Sequence, residues 1–144
     1  MPTAVRELAV AAIAARLATV PGNPTIRRNP ATPATSGNAI DLYEGDQDVA
    51  AEQSAVKEYS LAIELEIFAV AGAAINELYA QTLKHLLADG WWPSGAGIAD
   101  LREESMSATQ IDTEDGHDPL AGYLLKLTLN YWTSDIDPFT PGPS

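Results

Sequence analysis

Glu64 and Glu66 are the first residues in this sequence whose type and spacing could do chemistry. Two residues apart on one strand face, they would stand about 6–7 Å from each other, near the separation of the paired acids in glycoside hydrolysis. No aromatic cluster surrounds them to seat a sugar, and alternating charge on the open face of a sheet ordinarily serves solvation. The acidic run from Asp112 to Asp118 invites a calcium reading, because hard cations take clustered oxygen ligands. Its spacing fails: glycine arrives at the fifth position instead of the sixth, and the twelfth is Tyr123 instead of a bidentate glutamate. A solvated hairpin turn fits the run better. His117 beside Asp118 lacks a nucleophile on a G-x-S-x-G elbow, and His85 falls on the polar side of a helical stretch. The chain is therefore read as a non-enzyme, with no catalytic residue, no cofactor and no metal site assigned.

Two further groups point to contacts instead of reactions. Arg27 and Arg28 are adjacent beside a proline-containing stretch, in the one part of the sequence that is basic. They read either as ordinary surface charge or as an edge complementary to the acidic flank of an identical neighbour, the head-to-tail arrangement that closes into rings. On the second reading, reversing both charges should weaken self-association more than folding. Trp91 and Trp92 are adjacent where a helix gives way to a loop, so both cannot face one core. They read either as a protein contact or as packing at the core edge.

The elements that must position these residues follow from periodicity. Val5, Leu8, Ala12, Ile13, Leu17 and Val20 recur at helical spacing, so residues 3–20 form an amphipathic helix with Thr3 as N-cap and Pro21-Gly22 as its end. Thr25–Asn29 and Ala39–Tyr43 are short strands. Tyr59, Leu61, Ile63, Leu65 and Ile67 alternate with more polar residues and give a long strand. Ile75 to Leu87 resumes helical spacing and stops at Asp89-Gly90. Weak strand signals run over Ile98–Ile111, and residues 121–133 alternate as the second long strand. The expected fold class is α+β, a mainly antiparallel sheet packed against the N-terminal and central helices. Residues 1–133 are expected to make one domain with mobile loops near 30–38 and 44–56, and residues 134–144 a flexible proline-rich tail.

Composition sets the remaining bounds. The chain has 144 residues, enough for one domain, and 46% of them are hydrophobic, but 24 are alanine, so the core is modest. There is no cysteine, which excludes disulfides and thiolate metal sites and fits a reducing compartment. No apolar run is long enough to span a bilayer, because Arg16 interrupts Leu8–Val20. The net charge of −12 is uneven: four arginines face one glutamate in residues 1–40, and the acidic excess lies beyond. Such a chain repels nucleic acid and anionic membranes instead of binding them.

The order of elements, with the strand Glu58-Tyr-Ser-Leu-Ala-Ile-Glu-Leu-Glu-Ile67, the helix ending before Asp89-Gly90 and the closing Leu127-Thr-Leu-Asn-Tyr-Trp-Thr133 followed by Asp137-Pro138, resembles the tail terminator proteins of long-tailed bacteriophages. The resemblance covers most of the chain and rests on pattern, with Tyr-x-Thr then Asp-Pro as its most specific piece. It implies a structural virion protein, assembled in the host cytoplasm. Such a protein forms a homo-hexameric ring on the tail tube, ends its polymerisation and offers a surface to a head-completion or neck protein. DNA would pass an acidic lumen without specific binding. A neighbouring neck or head–tail joining protein would share size and ring habit, and a monomeric protein-interaction adaptor is the rival outside this class.

Overall fold

The computed structural model describes residues 3–32, 37–111 and 120–142. In chain order these form α1 (Val5–Leu17), β1 (Thr25–Arg28), β2 (Ala39–Gln53), β3 (Val56–Val70), α2 (Ala73–Leu86), β4 (Ile98–Ile111) and β5 (Leu120–Ser134). The strands build one five-stranded sheet in the order β1-β2-β3-β5-β4. Only β1 and β2 run parallel; the other three pairings are antiparallel. The expected α+β class with a mainly antiparallel sheet is what the chain adopts.

Alternation in the two central strands sets the layers. Leu61, Ile63 and Leu65 of β3 stand opposite Leu129, Leu127 and Leu125 of β5, and all six are buried. Ile40 and Leu42 of β2 extend the same face, opposite Ile67 and Leu65. Onto it pack Val5, Ala9, Val10, Ile13 and Leu17 of α1 and Ile75, Leu78 and Leu86 of α2. Each large aliphatic side chain so buried contributes about 1.5–3 kcal/mol. Two tyrosines fasten α2 to the sheet: the Tyr79 hydroxyl donates to Glu103 at 3.1 Å and the Tyr123 hydroxyl to Asn76 at 2.6 Å, with the rings edge-to-face at 5.6 Å.

Three expectations are corrected. The segment 44–56 is not a loop: β2 runs on to Gln53, and Ser54-Ala55 turns directly into β3. Register shifts between Glu44 and Gln47 and between Val49 and Ala51 break the alternation that would have revealed it. Thr3 does not cap α1; Ala4 holds the cap position without a side-chain bond, and the Val5 N–H donates instead to the Pro138 carbonyl at 3.0 Å. The tail, as far as Gly142, is not loose. Because β4 begins opposite Tyr131, β5 has no strand on that side beyond the Trp132 N–H, which donates to the Gly97 carbonyl, and the chain turns back to supply one. The Ser134 N–H donates to Thr140 at 2.9 Å and the Gly142 N–H to Trp132 at 3.1 Å. Residues 33–36 of the expected loop 30–38, the acidic turn 112–119 with His117, and residues 143–144 lie outside the described residues.

Gly97 lies close against Val5, in the first turn of α1. Its φ is +77°, its carbonyl accepts from the Trp132 N–H at 2.8 Å, and a Cβ there would overlap Val5 Cγ1. Gly97→Ala is expected to destabilise the fold by about 2 kcal/mol in urea titration. Gly95→Ala, at φ +87° with nothing within 4 Å of a new Cβ, isolates the backbone strain and should cost about half as much.

Candidate interaction surface

The arginines near the start of the chain are engaged inside the subunit. The Arg27 guanidinium grips Asp41 through two bonds, Nε to Oδ1 at 2.7 Å and Nη2 to Oδ2 at 2.6 Å. Asp41 is wholly buried on β2, directly across the parallel pair from Arg27. This two-pronged, charge-assisted contact is the geometry that makes a buried carboxylate tolerable. The Arg27 Nη2 also donates to the Thr32 carbonyl at 2.9 Å, drawing the chain after β1 over the sheet. Hydrogen bonding to Asp41 raises the already high Arg27 pKa, so this cation is permanent.

Arg28 points to the other side of β1. It bonds Glu7 of α1 at 2.7 Å and 3.0 Å and Glu44 of β2 at 3.1 Å. Glu44 also accepts from Arg6 Nε at 3.1 Å, and Arg6 reaches Gln47 at 3.2 Å, the same oxygen that takes the Tyr131 hydroxyl. A chain of polar contacts therefore runs from α1 through β1 and β2 to β5. Its Arg28 bonds hold the Glu7 carboxyl below the usual carboxylate range, while burial pushes the Tyr131 phenol up. Arg16 donates Nε to the His85 carbonyl at 2.9 Å and lays its guanidinium over Trp91, 5.4 Å from the ring centroid.

Trp91 and Trp92 are half-buried and packed against the core, edge-to-face at 5.6 Å. The Trp91 indole N–H donates to the Leu86 carbonyl at 2.8 Å, closing the end of α2. The four residues singled out as contacts thus fall at two places: Arg27 and Arg28 on β1, and Trp91 and Trp92 beyond α2. All have partners within the subunit. The premise that both arginines are exposed needs correcting, since Arg27 is half-buried on Asp41, and reversing its charge would strike the fold first.

The helix-free face of the sheet carries Asp41, Glu64 and Glu66. Glu66 stands opposite Asp41 and Glu64 opposite Tyr43 on one side and Lys126 on the other. Around them Ser60 bonds Asn130 at 3.1 Å and Thr128 bonds Glu104 at 2.8 Å. Burial raises the Glu66 pKa, and the charges of Asp41 and Glu64 add to the shift. Among the described residues no group of histidine and acidic side chains is arranged to hold a metal ion. His85, whose ring nitrogen meets the Gln81 carbonyl at 2.9 Å, is part of its own helix turn. The arrangement can present a negative field on a polar wall. Asp41 was passed over in the sequence, although a lone acid inside Ala39-Ile40-Asp41-Leu42 signals a buried carboxylate that needs a cation.

No family model matches the sequence, and no curated protein matches it. Among solved structures, the fold is similar to that of a chain in the "Virion of native gene transfer agent (GTA) particle", with a TM-score of 0.51 and 18% identity. The match covers 90% of this chain and 92% of that one. At that identity the likeness establishes a shared fold spanning nearly the whole length of both chains.

Two outcomes follow from the site. Arg27→Leu, which strands a buried carboxylate, is expected to lower the melting temperature by about 10 °C, against about 3 °C for Arg28→Leu, whose glutamates remain in reach of water. Glu66→Gln is expected to raise the melting temperature at pH 7 by about 2 °C. Because the folded pKa of Glu66 lies above its unfolded value, the ionised form burdens the fold only above the carboxylate range. The gain should close as the pH falls through that range, which thermal melts from pH 7 to 3.5 would display.

Proposed function

We propose that this chain is a structural subunit of a phage-like particle that caps the tail tube as a homo-hexameric ring, ends tube polymerisation and provides the head-joining surface. Its partners are then further copies of itself, the tail tube protein and a head-completion or neck protein, at the tail–neck junction of the virion. The observation that carries this reading is the fold held in common, over 90% of this chain, with a chain of a gene transfer agent virion. The resemblance of its closing strand and Asp137-Pro138 to tail terminators supports the finer assignment.

Charge supports it too. With Arg6, Arg27 and Arg28 committed to Glu44, Asp41 and Glu7, most of the net −12 is left to the surface. A ring lined by such a surface would let DNA slide past without adhering, since like charge removes the phosphate contacts on which non-specific binding depends. The same charge opposes the approach of identical subunits, so self-association should strengthen with ionic strength.

Light scattering behind size exclusion, run from low to high salt, tests the proposal. The expected result is a species near 92 kDa, six times the 15.3 kDa chain, whose share grows with salt and protein concentration. A ring that binds head-completion protein but leaves tube length unaltered would move the assignment to the neck. A monomer at every salt that also ignores purified tube ends would overturn the ring and favour an adaptor.

A further inference from the structure

The end of the sheet formed by the β2–β3 turn and the returning C-terminal segment holds two large apolar side chains in solvent. Ile136 is 88% exposed and Phe139 46% exposed. Neither belongs to a loose stretch. The Asp135 N–H donates to the Ala55 carbonyl at 3.1 Å, the Pro138 carbonyl caps α1, and Thr133 bridges Pro141. Asp137 closes the turn between them: Oδ1 accepts from the Phe139 N–H at 2.9 Å and Oδ2 from the Thr140 hydroxyl at 2.6 Å. Backbone and carboxylate bonds fix the segment, so the two side chains are presented without being needed to hold it.

We infer that Ile136 and Phe139 are the apolar centre of a docking site for a different protein, one that offers an apolar pocket rimmed by lysine or arginine. An exposed apolar centre inside a charged rim is the anatomy of a protein contact, not of ordinary surface. The rim is acidic: Asp135 and Asp137 flank Ile136, while Glu52 and Glu58 lie within four residues of the Ser54-Ala55 turn. Among the described residues, Lys57 stands at this end across the pair from Glu52, and Arg6, next to the capped Val5, is held by Glu44 and Gln47. A second copy of this chain does not supply the complement. Arg6 and Arg27 are in ion pairs with half-buried Glu44 and buried Asp41, Arg28 is held by exposed Glu7 and half-buried Glu44, and Arg16 is spent on His85 and Trp91. Lys57, Lys84, Arg102 and Lys126 are scattered over β3, α2, β4 and β5. Charge complementarity therefore selects a basic partner over self. This goes beyond the ring proposal and does not depend on it, because the site is argued from one subunit.

The test uses the full chain, immobilised and panned against a random-peptide phage library, with the enriched peptide synthesised and its binding followed by fluorescence anisotropy. Enriched peptides are expected to combine aromatic or aliphatic residues with lysine or arginine, and to lose affinity as salt rises. Ile136→Ser with Phe139→Ser should weaken that binding at least tenfold while leaving the melting temperature and the mass by light scattering unchanged. Asp135→Lys, which keeps the apolar pair, should weaken it by a smaller factor. Absence of enrichment, peptides without basic residues, or binding indifferent to the double substitution would each overturn the inference. Loss of self-association in the double variant would overturn it in favour of a contact between copies. Failure of the ring proposal would instead appear as a monomer in light scattering, with peptide binding intact.

Discussion

The fifteen-residue ladder between β3 and β5 is the constraint on which the rest of the molecule depends. It runs without a register shift from Val56 opposite Ser134 to Val70 opposite Leu120. Because side chains alternate, this one register decides which residues enter the core and which meet the helix-free face. Were β3 slipped by one position past β5, Ile63 and Leu65 would exchange sides with Glu64 and Glu66 while Leu127 stayed in the core, setting glutamates beside it. The neighbours are less regular. β2 and β4 each contain two shifts, and they can, because they need only follow a central pair that is already fixed.

Electrostatics is organised by the same sheet. A parallel pairing sets Arg27 beside Asp41 on one face, and the next residue, Arg28, falls by alternation on the other, between Glu7 and Glu44. Two adjacent arginines thus do different work. Arg27 neutralises a carboxylate that water cannot reach, and Arg28 ties the first helix to the sheet. The basic character of the first forty residues is spent within the subunit, so the free surface is more one-sided in charge than the sequence total suggests.

Much of this was legible in the sequence, and the exceptions have physical causes. Both long central strands showed themselves because their alternation is uninterrupted, and the short β1 fell within the expected Thr25–Asn29. β4, weak in pattern, still fell on Ile98–Ile111 as expected. The outer half of β2 was hidden because two irregularities scramble its period and its composition is acidic and small, which reads as loop. The returning tail was hidden for another reason: its order comes from hydrogen bonds to residues far away in the chain, Val5 and Ala55, and from the carboxylate of Asp137, none of which leaves a hydrophobic pattern. Of the residues singled out for contacts, the arginine and tryptophan pairs were noticed for their adjacency, but adjacency does not reveal Asp41 as the partner of Arg27, Glu7 as that of Arg28 or Arg16 as that of Trp91. Ile136 and Phe139 lay in a segment that composition alone made look featureless.

The place of β5 in the sheet has a consequence for how the molecule is made. It is made after the other described strands, yet it sits between β3 and β4, and Pro138 beyond it closes the first turn of α1. Until it emerges, β3 has one open side, β4 has no neighbour, and the opening helix has no cap. The sheet therefore cannot be completed before β5 is made: β1, β2 and β3 can pair among themselves, but β4 joins them only through β5, a non-local closure that is slow in a β-rich topology. Nascent chains are thereby kept from presenting a finished surface to one another while they are still being synthesised.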